Sequence, residues 1–120
     1  MPLTVFFIAM ILNYFLGGKI VNETVLDIIL HILGGMSICL SMSGVLWHLV
    51  RRELIVLQDE KVFRFLVFGF LCFVVISWEI FEYIAFYPDD LLTYNDTIAD
   101  MIFGLIGGLF VMFFIRKLVN

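Results

Sequence analysis

Residues 27–35, DIILHILGG, and residues 96–104, DTIADMIFG, are two stretches that resemble each other and indicate how the chain is organised. Each begins with an aspartate, carries a second polar side chain four residues later and reaches a glycine after four more. Residues four apart lie on one face of a helix. The same offset of 69 residues separates Asp27 from Asp96, His31 from Asp100, Gly35 from Gly104 and Asn13 from Glu82. We interpret the chain as two tandem copies of one helical hairpin.

The composition places these helices in a membrane. Of the 120 residues, 63% are hydrophobic and only 15% are charged, and the mean hydropathy is +1.13. A soluble domain of this length cannot bury so much apolar surface, so the sequence predicts a single integral membrane domain over residues 1–120. The net charge of −4 argues against nucleic acid as a partner and leaves the lipid bilayer as the expected surroundings.

Four apolar segments predict four transmembrane helices in an all-α fold. They cover residues 3–16, 25–50, 62–86 and 97–118. The first repeat would be residues 1–50 and the second residues 62–120, with a linker over residues 51–61 that we expect to lie as a helix on the membrane surface. The two hairpins are expected to be related by a pseudo-twofold axis along the membrane normal, with the second and fourth spans packed through their glycines.

The basic residues predict the orientation of these spans. Six of the seven Lys and Arg residues would lie on one side of a four-span protein, and this side should be cytoplasmic. The six are Arg51, Arg52, Lys61, Arg64, Arg116 and Lys117. The sequence therefore predicts a multi-pass protein of the bacterial inner (cytoplasmic) membrane with both termini in the cytoplasm.

Polar side chains from several spans are then expected in the outer half of the bilayer. A charge at mid-bilayer costs about 2.5 to 3.5 kcal/mol, so several carboxylates there need a proton, a cation or water to neutralise them. Carboxylate oxygens and an imidazole nitrogen suit Zn, Mn, Fe or Ca, and acidic residues on facing helices are a common way to hold metals in bundles. The candidate metal ligands are His31, Glu79, Glu82, Asp100, Asp27 and Asp96.

A motif-level resemblance covers most of the chain. Residues 78–83, WEIFEY, followed by residues 96–101, DTIADM, and preceded by Asp27 and His31, resemble the pattern of VanZ-like membrane proteins and their uncharacterised relatives of the YjdF type. The resemblance implies a small multi-span bacterial or archaeal membrane protein. In the VanZ branch the acidic pairs are partly replaced by amides, whereas Glu82 and Asp100 are both acids here, which places this sequence nearer the uncharacterised relatives.

Three functional interpretations of the polar cluster stay open at this stage. The first is a divalent metal site, in which Glu79 could also serve as a general base toward a lipid or envelope substrate, as in a membrane metal-dependent hydrolase. The second is proton- or cation-coupled transport. The third is a structural role, in which hydrogen-bonded acids fix the helices of a protein that binds a partner or a lipid. A homo-oligomer is compatible with each of them.

Overall fold

Three long helices make up the protein in its computed structural model, which describes residues 23–57, 59–86 and 94–115. Helix α1 runs over Glu23–Arg51, α2 over Glu60–Phe86 and α3 over Tyr94–Ile115. Each exceeds the about 20 residues that a membrane-spanning helix needs, and each contains a segment apolar enough to cross a membrane. The described part of the chain contains no strand. The prediction of an all-α membrane protein is confirmed.

The prediction of four spans is wrong, because the structure has three helices of membrane-spanning length within the described ranges. The predicted first span, residues 3–16, lies outside those ranges. Its 14 residues would measure roughly 21 Å as a helix, which is short of the about 30 Å hydrocarbon core. With three helices, α1 begins and α3 ends on opposite sides of the molecule. The arrangement of four helices as two hairpins with a pseudo-twofold axis is corrected with it. Both termini lie outside the described residues, so their common side stays a prediction.

Helices α1 and α3 pack in parallel and in direct backbone contact. A Cβ atom added to Gly35 would overlap the carbonyl oxygen of Gly104, and one added to Gly107 would overlap the carbonyl oxygen of Ile32. Only residues without a side chain allow two helices to approach this closely. The prediction that the spans beginning near residues 25 and 97 pack through their glycines is therefore confirmed.

Helix α2 covers the seam between α1 and α3 with one stripe of side chains. Buried residues recur every fourth position along it, which keeps them on one helix face. Leu71 contacts the backbone position of Gly108, and Val75 contacts that of Gly104. The stripe consists of Phe63, Val67, Leu71, Val75 and Glu79. Its first two residues, Phe63 and Val67, form one hydrophobic cluster with Cys39 and Leu46 of α1 and with Val111 and Ile115 of α3.

The connection between α1 and α2 is not the surface helix that the sequence predicted. Glu53 adopts a left-handed conformation with φ of 58°. The amide of Leu54 donates to the carbonyl of Leu49, and that of Glu53 donates to Val50, both at 3.0 Å. This pattern terminates a helix. Asp59 then starts α2, since its Oδ1 accepts a hydrogen bond of 2.8 Å from the Lys61 amide. The end of α1 at Glu53 and the cap of α2 at Asp59 thus keep residues 54–57 out of a helix despite their apolar pattern.

Candidate metal centre

The polar cluster forms where the buried faces of the three helices reach the same end of the molecule. On α2 the stripe of apolar residues continues into Glu79, which is 7% exposed. On α3 the buried face begins with Asp100, which is 6% exposed and lies one turn before Gly104. His31 lies one turn before Gly35 on α1. Because each polar residue extends a core-facing row, the packing of the helices brings all three together.

His31 lies between two aspartates from different helices. Its Nε2 atom is 3.6 Å from Oδ1 of Asp27, one turn away on α1, and 3.6 Å from Oδ1 of Asp100 on α3. A nitrogen–oxygen distance of 3.6 Å is too long for a hydrogen bond. The side chain of Asp27 is 46% exposed, against 13% for His31 and 9% for Asp100. One donor of this set therefore lies partly at the protein surface, while the helices cover most of the other two side chains.

A second set of donor groups joins the same histidine to α2. One ligand atom each of His31, Glu79 and Glu82 lies within 4.8 Å of the other two, and the same limit holds for Asp27, His31 and Asp100. The Oε1 atom of Glu79 is buried and has no hydrogen-bond partner among the described residues. A buried polar atom without a partner costs about 1 to 3 kcal/mol, more when it is charged. Within the described part of the chain, this oxygen is therefore the group at which an added ligand would gain most.

In the first set, the distances from His31 to the two aspartates are close to those in a site for a small divalent cation. Zinc binds nitrogen and oxygen ligands at about 2.1 Å in a tetrahedron, so two of its ligands lie about 3.4 Å apart. The separations of 3.6 Å around His31 are close to that value. An imidazole with two carboxylates is also a donor set that borderline transition metals accept. Both sets are therefore candidates for such an ion.

Five of the six candidate ligands predicted from the sequence meet in these two sets, and the sixth does not. Asp96 is exposed and belongs to neither set. Asn13, which the offset of 69 residues related to Glu82, lies outside the described residues. Sequence reasoning missed that Gly35 and Gly104 fix the distance between His31 and Asp100. The sequence did carry a signal of this arrangement, because Gly35 follows His31, and Gly104 follows Asp100, by four positions.

No protein-family model, curated protein or solved structure matches the chain. The resemblance to VanZ-like proteins stays a prediction based on short motifs.

Proposed function

We propose that this protein binds a divalent transition-metal cation between its three helices, within the outer half of the cytoplasmic membrane. The ligands are drawn from Asp27, His31, Glu79, Glu82 and Asp100. Among divalent cations Zn²⁺ fits the donor types and their spacing best. Asp96, near the start of α3, adds negative charge beside the site and attracts cations toward it.

The single observation that carries the proposal is the environment of Glu79. Its position continues a stripe in which Val67, Leu71 and Val75 are buried, so an apolar residue would satisfy packing there. The chain instead places a carboxylate whose Oε1 has no partner among the described residues. A group of this kind lowers stability unless a ligand compensates it. A cation held jointly with His31 and Glu82 supplies that compensation.

The charge of the cluster also favours a cation over internal hydrogen bonds. The two sets contain four carboxylates. The Nε2 atom of His31 lies 3.6 Å from Oδ1 of both Asp27 and Asp100, which is longer than a hydrogen bond. Separate charges in the membrane interior cost about 2.5 to 3.5 kcal/mol each near its centre. A divalent cation balances two carboxylates at once and is attracted to both.

The orientation rests on the basic residues around the connection of α1 and α2. Arg51, Arg52, Lys61 and Arg64 lie at that end of the molecule, and the polar cluster lies at the other. By the positive-inside rule the basic end is cytoplasmic. The cation site then opens toward the outside of the cell or the periplasm.

Element analysis of the purified protein tests the proposal. We expect about one divalent transition-metal ion per chain, and a lower melting temperature after chelation. A ligand present at 100 times its dissociation constant stabilises a fold by about 2.7 kcal/mol, so chelation should remove stability of that order. Glu79→Gln and Asp100→Asn should each lose the metal, and chelator should have little further effect on either variant.

Matched substitutions at the opposite end of the helices serve as controls. Glu60→Gln is the control for Glu79→Gln, because it makes the same change on α2 at an exposed residue paired with Arg64. On α1, His31→Gln should lose the metal, and His48→Gln is its control. Both controls should keep the metal and the response to chelator. A metal-free parent that chelator does not affect, together with a Glu79→Gln variant at least as stable, would support a structural role of hydrogen-bonded acids instead. Catalysis by Glu79 and coupled transport stay predictions.

A further inference from the structure

A shallow groove lies between α2 and α3 at the basic end of the molecule, opposite the polar cluster. It has about 140 Å³ of open space. Its base is apolar, because Phe63, Val67 and Ile115 are buried. The lining consists of Phe63, Arg64, Val67, Met112 and Ile115. A ligand in this groove would be independent of the proposed cation site.

Arg64 is the charged residue of this lining, and it is more buried than its basic neighbours. Its side chain is 36% exposed, whereas Arg51, Arg52 and Lys61 are exposed residues. Its apolar stem therefore lies against the groove and holds the guanidinium at the edge of the groove. One nitrogen of the guanidinium donates a hydrogen bond of 2.6 Å to Glu60. A guanidinium has five N–H donors, so this pair leaves donors for a second anion.

The groove runs from the depth of the lipid head groups toward the hydrocarbon core. Arg64 lies one turn, or about 6 Å, from the start of α2. Trp47 lies one turn from the end of α1, and Arg51 stacks on its ring at 4.9 Å from the centroid. Tryptophan is typical of the membrane interface, which places this turn of both helices at that depth. Val67 lies further along α2, so the charged end of the groove faces the interface and its apolar part lies deeper.

We propose that the groove binds one anionic phospholipid of the cytoplasmic leaflet, with its phosphate on Arg64 and one acyl chain along the apolar lining. A guanidinium binds phosphate oxygens through two parallel hydrogen bonds. Basic pockets between transmembrane helices on the cytoplasmic side hold anionic head groups in this way. Glu60 is 45% exposed, so water can hydrate it when the phosphate takes its place. A zwitterionic lipid is disfavoured, because its ammonium group would lie beside Arg64 and Lys61.

Titration of the purified protein in a neutral detergent with phosphatidylglycerol and phosphatidylcholine of the same acyl chains tests the charged end of the groove. Native mass spectrometry counts the bound lipids, and we expect a preference for phosphatidylglycerol. Arg64→Gln should reduce that preference about fivefold, which is the contribution of one basic residue near a membrane surface. Arg52→Gln removes the same charge outside the groove and should stay close to the parent. Glu60→Gln should strengthen binding, because it removes the anion that competes with the phosphate.

Two further measurements test the apolar part of the groove. Met112→Phe narrows the groove without changing the charge and should weaken binding of phosphatidylglycerol. Leu109→Phe is its control, at an exposed residue of α3 outside the lining, and should bind as the parent does. Glycerol phosphate, which has no acyl chain, should compete poorly with the lipid.

Several results would overturn the proposal. Equal losses in Arg64→Gln and Arg52→Gln would show that the net charge of this end attracts the lipid without the groove. Equal binding of the two lipids would exclude an anionic occupant, and a Met112→Phe variant that binds as the parent does would exclude the acyl chain. Effective competition by glycerol phosphate would indicate a site for soluble phosphate compounds instead. Circular dichroism of each variant confirms that its helices are intact.

Discussion

At the scale of single residues, Glu79 is a carboxylate in a position shaped for an apolar side chain. It follows Val75 by one turn on the core-facing stripe of α2 and is 7% exposed. Replacing a buried, unpartnered polar group by an apolar one of similar size removes its desolvation cost. We therefore expect Glu79 to lower the stability of the metal-free protein and to raise stability only through the proposed cation.

Replacing Glu79 by leucine should therefore change stability in opposite directions with and without the metal. In chelator, Glu79→Leu should be more stable than the parent by about 1 to 3 kcal/mol, because the desolvation cost is gone. With saturating Zn²⁺ the parent should be the more stable, since only it gains the free energy of binding. Denaturation in detergent with and without metal measures both. Glu60→Leu, at an exposed residue of the same helix, should show no such reversal; a Glu79→Leu variant less stable than the parent in chelator would contradict the argument.

At the scale of helices, the contact between α1 and α3 determines the geometry of the site. Gly35 and Gly104 touch one turn away from His31 and Asp100, so the distance between these two side chains depends on how closely the backbones approach. Gly44, by contrast, is exposed, and a Cβ atom there would meet nothing within 4 Å. Gly35 and Gly44 of α1 therefore offer a matched pair of substitutions.

Gly35→Ala should destabilise the protein by about 1 to 3 kcal/mol or more, because the added methyl group overlaps the Gly104 backbone and separates the helices. It should also weaken metal binding although it changes no ligand. Gly44→Ala should stabilise α1 by about 0.5 to 1 kcal/mol, since alanine is the better helix former. Denaturation curves and element analysis of both variants check this. Equal stability of the two variants would show that the close contact does not hold the helices in place.

At the scale of the whole molecule, three helices place the two ends of the bundle on opposite sides of a membrane. The connection of α1 and α2 lies at the basic end, and the start of α3 lies at the end with the acidic cluster. Val56 in that connection is 77% exposed, and Tyr94 at the start of α3 is 80% exposed. Both positions are suited to a cysteine that reports its side of the membrane.

In a background without Cys39 and Cys72, a membrane-impermeant maleimide added to intact cells or spheroplasts should label Tyr94→Cys and not Val56→Cys. Val56→Cys should react only after permeabilisation, since the positive-inside rule predicts that the basic end faces the cytoplasm. Parallel labelling after solubilisation shows that both thiols are reactive. Labelling of Val56→Cys from outside would reverse the orientation and place the cation site on the cytoplasmic side.

The sequence by itself determined that this is an all-α membrane protein and which polar residues are candidates for its site. Length and hydropathy locate α1, α2 and α3, because a helix must be apolar along about 20 residues to cross the bilayer. Spacing within one helix places Asp27 with His31, and Glu79 with Glu82, on shared faces. The prediction of four spans was wrong, since the structure has three helices within the described ranges; residues 3–16 lie outside those ranges.

Only the tertiary structure decided how these faces meet. Distances between His31 and Asp100, or between His31 and Glu79, depend on which helices touch and how closely, and spacing along the chain does not contain that information. The two donor sets that share His31, the exposure of Asp27 and the unpartnered oxygen of Glu79 all follow from packing. They exist because glycines bring α1 and α3 into backbone contact while one stripe of α2 closes the seam between them.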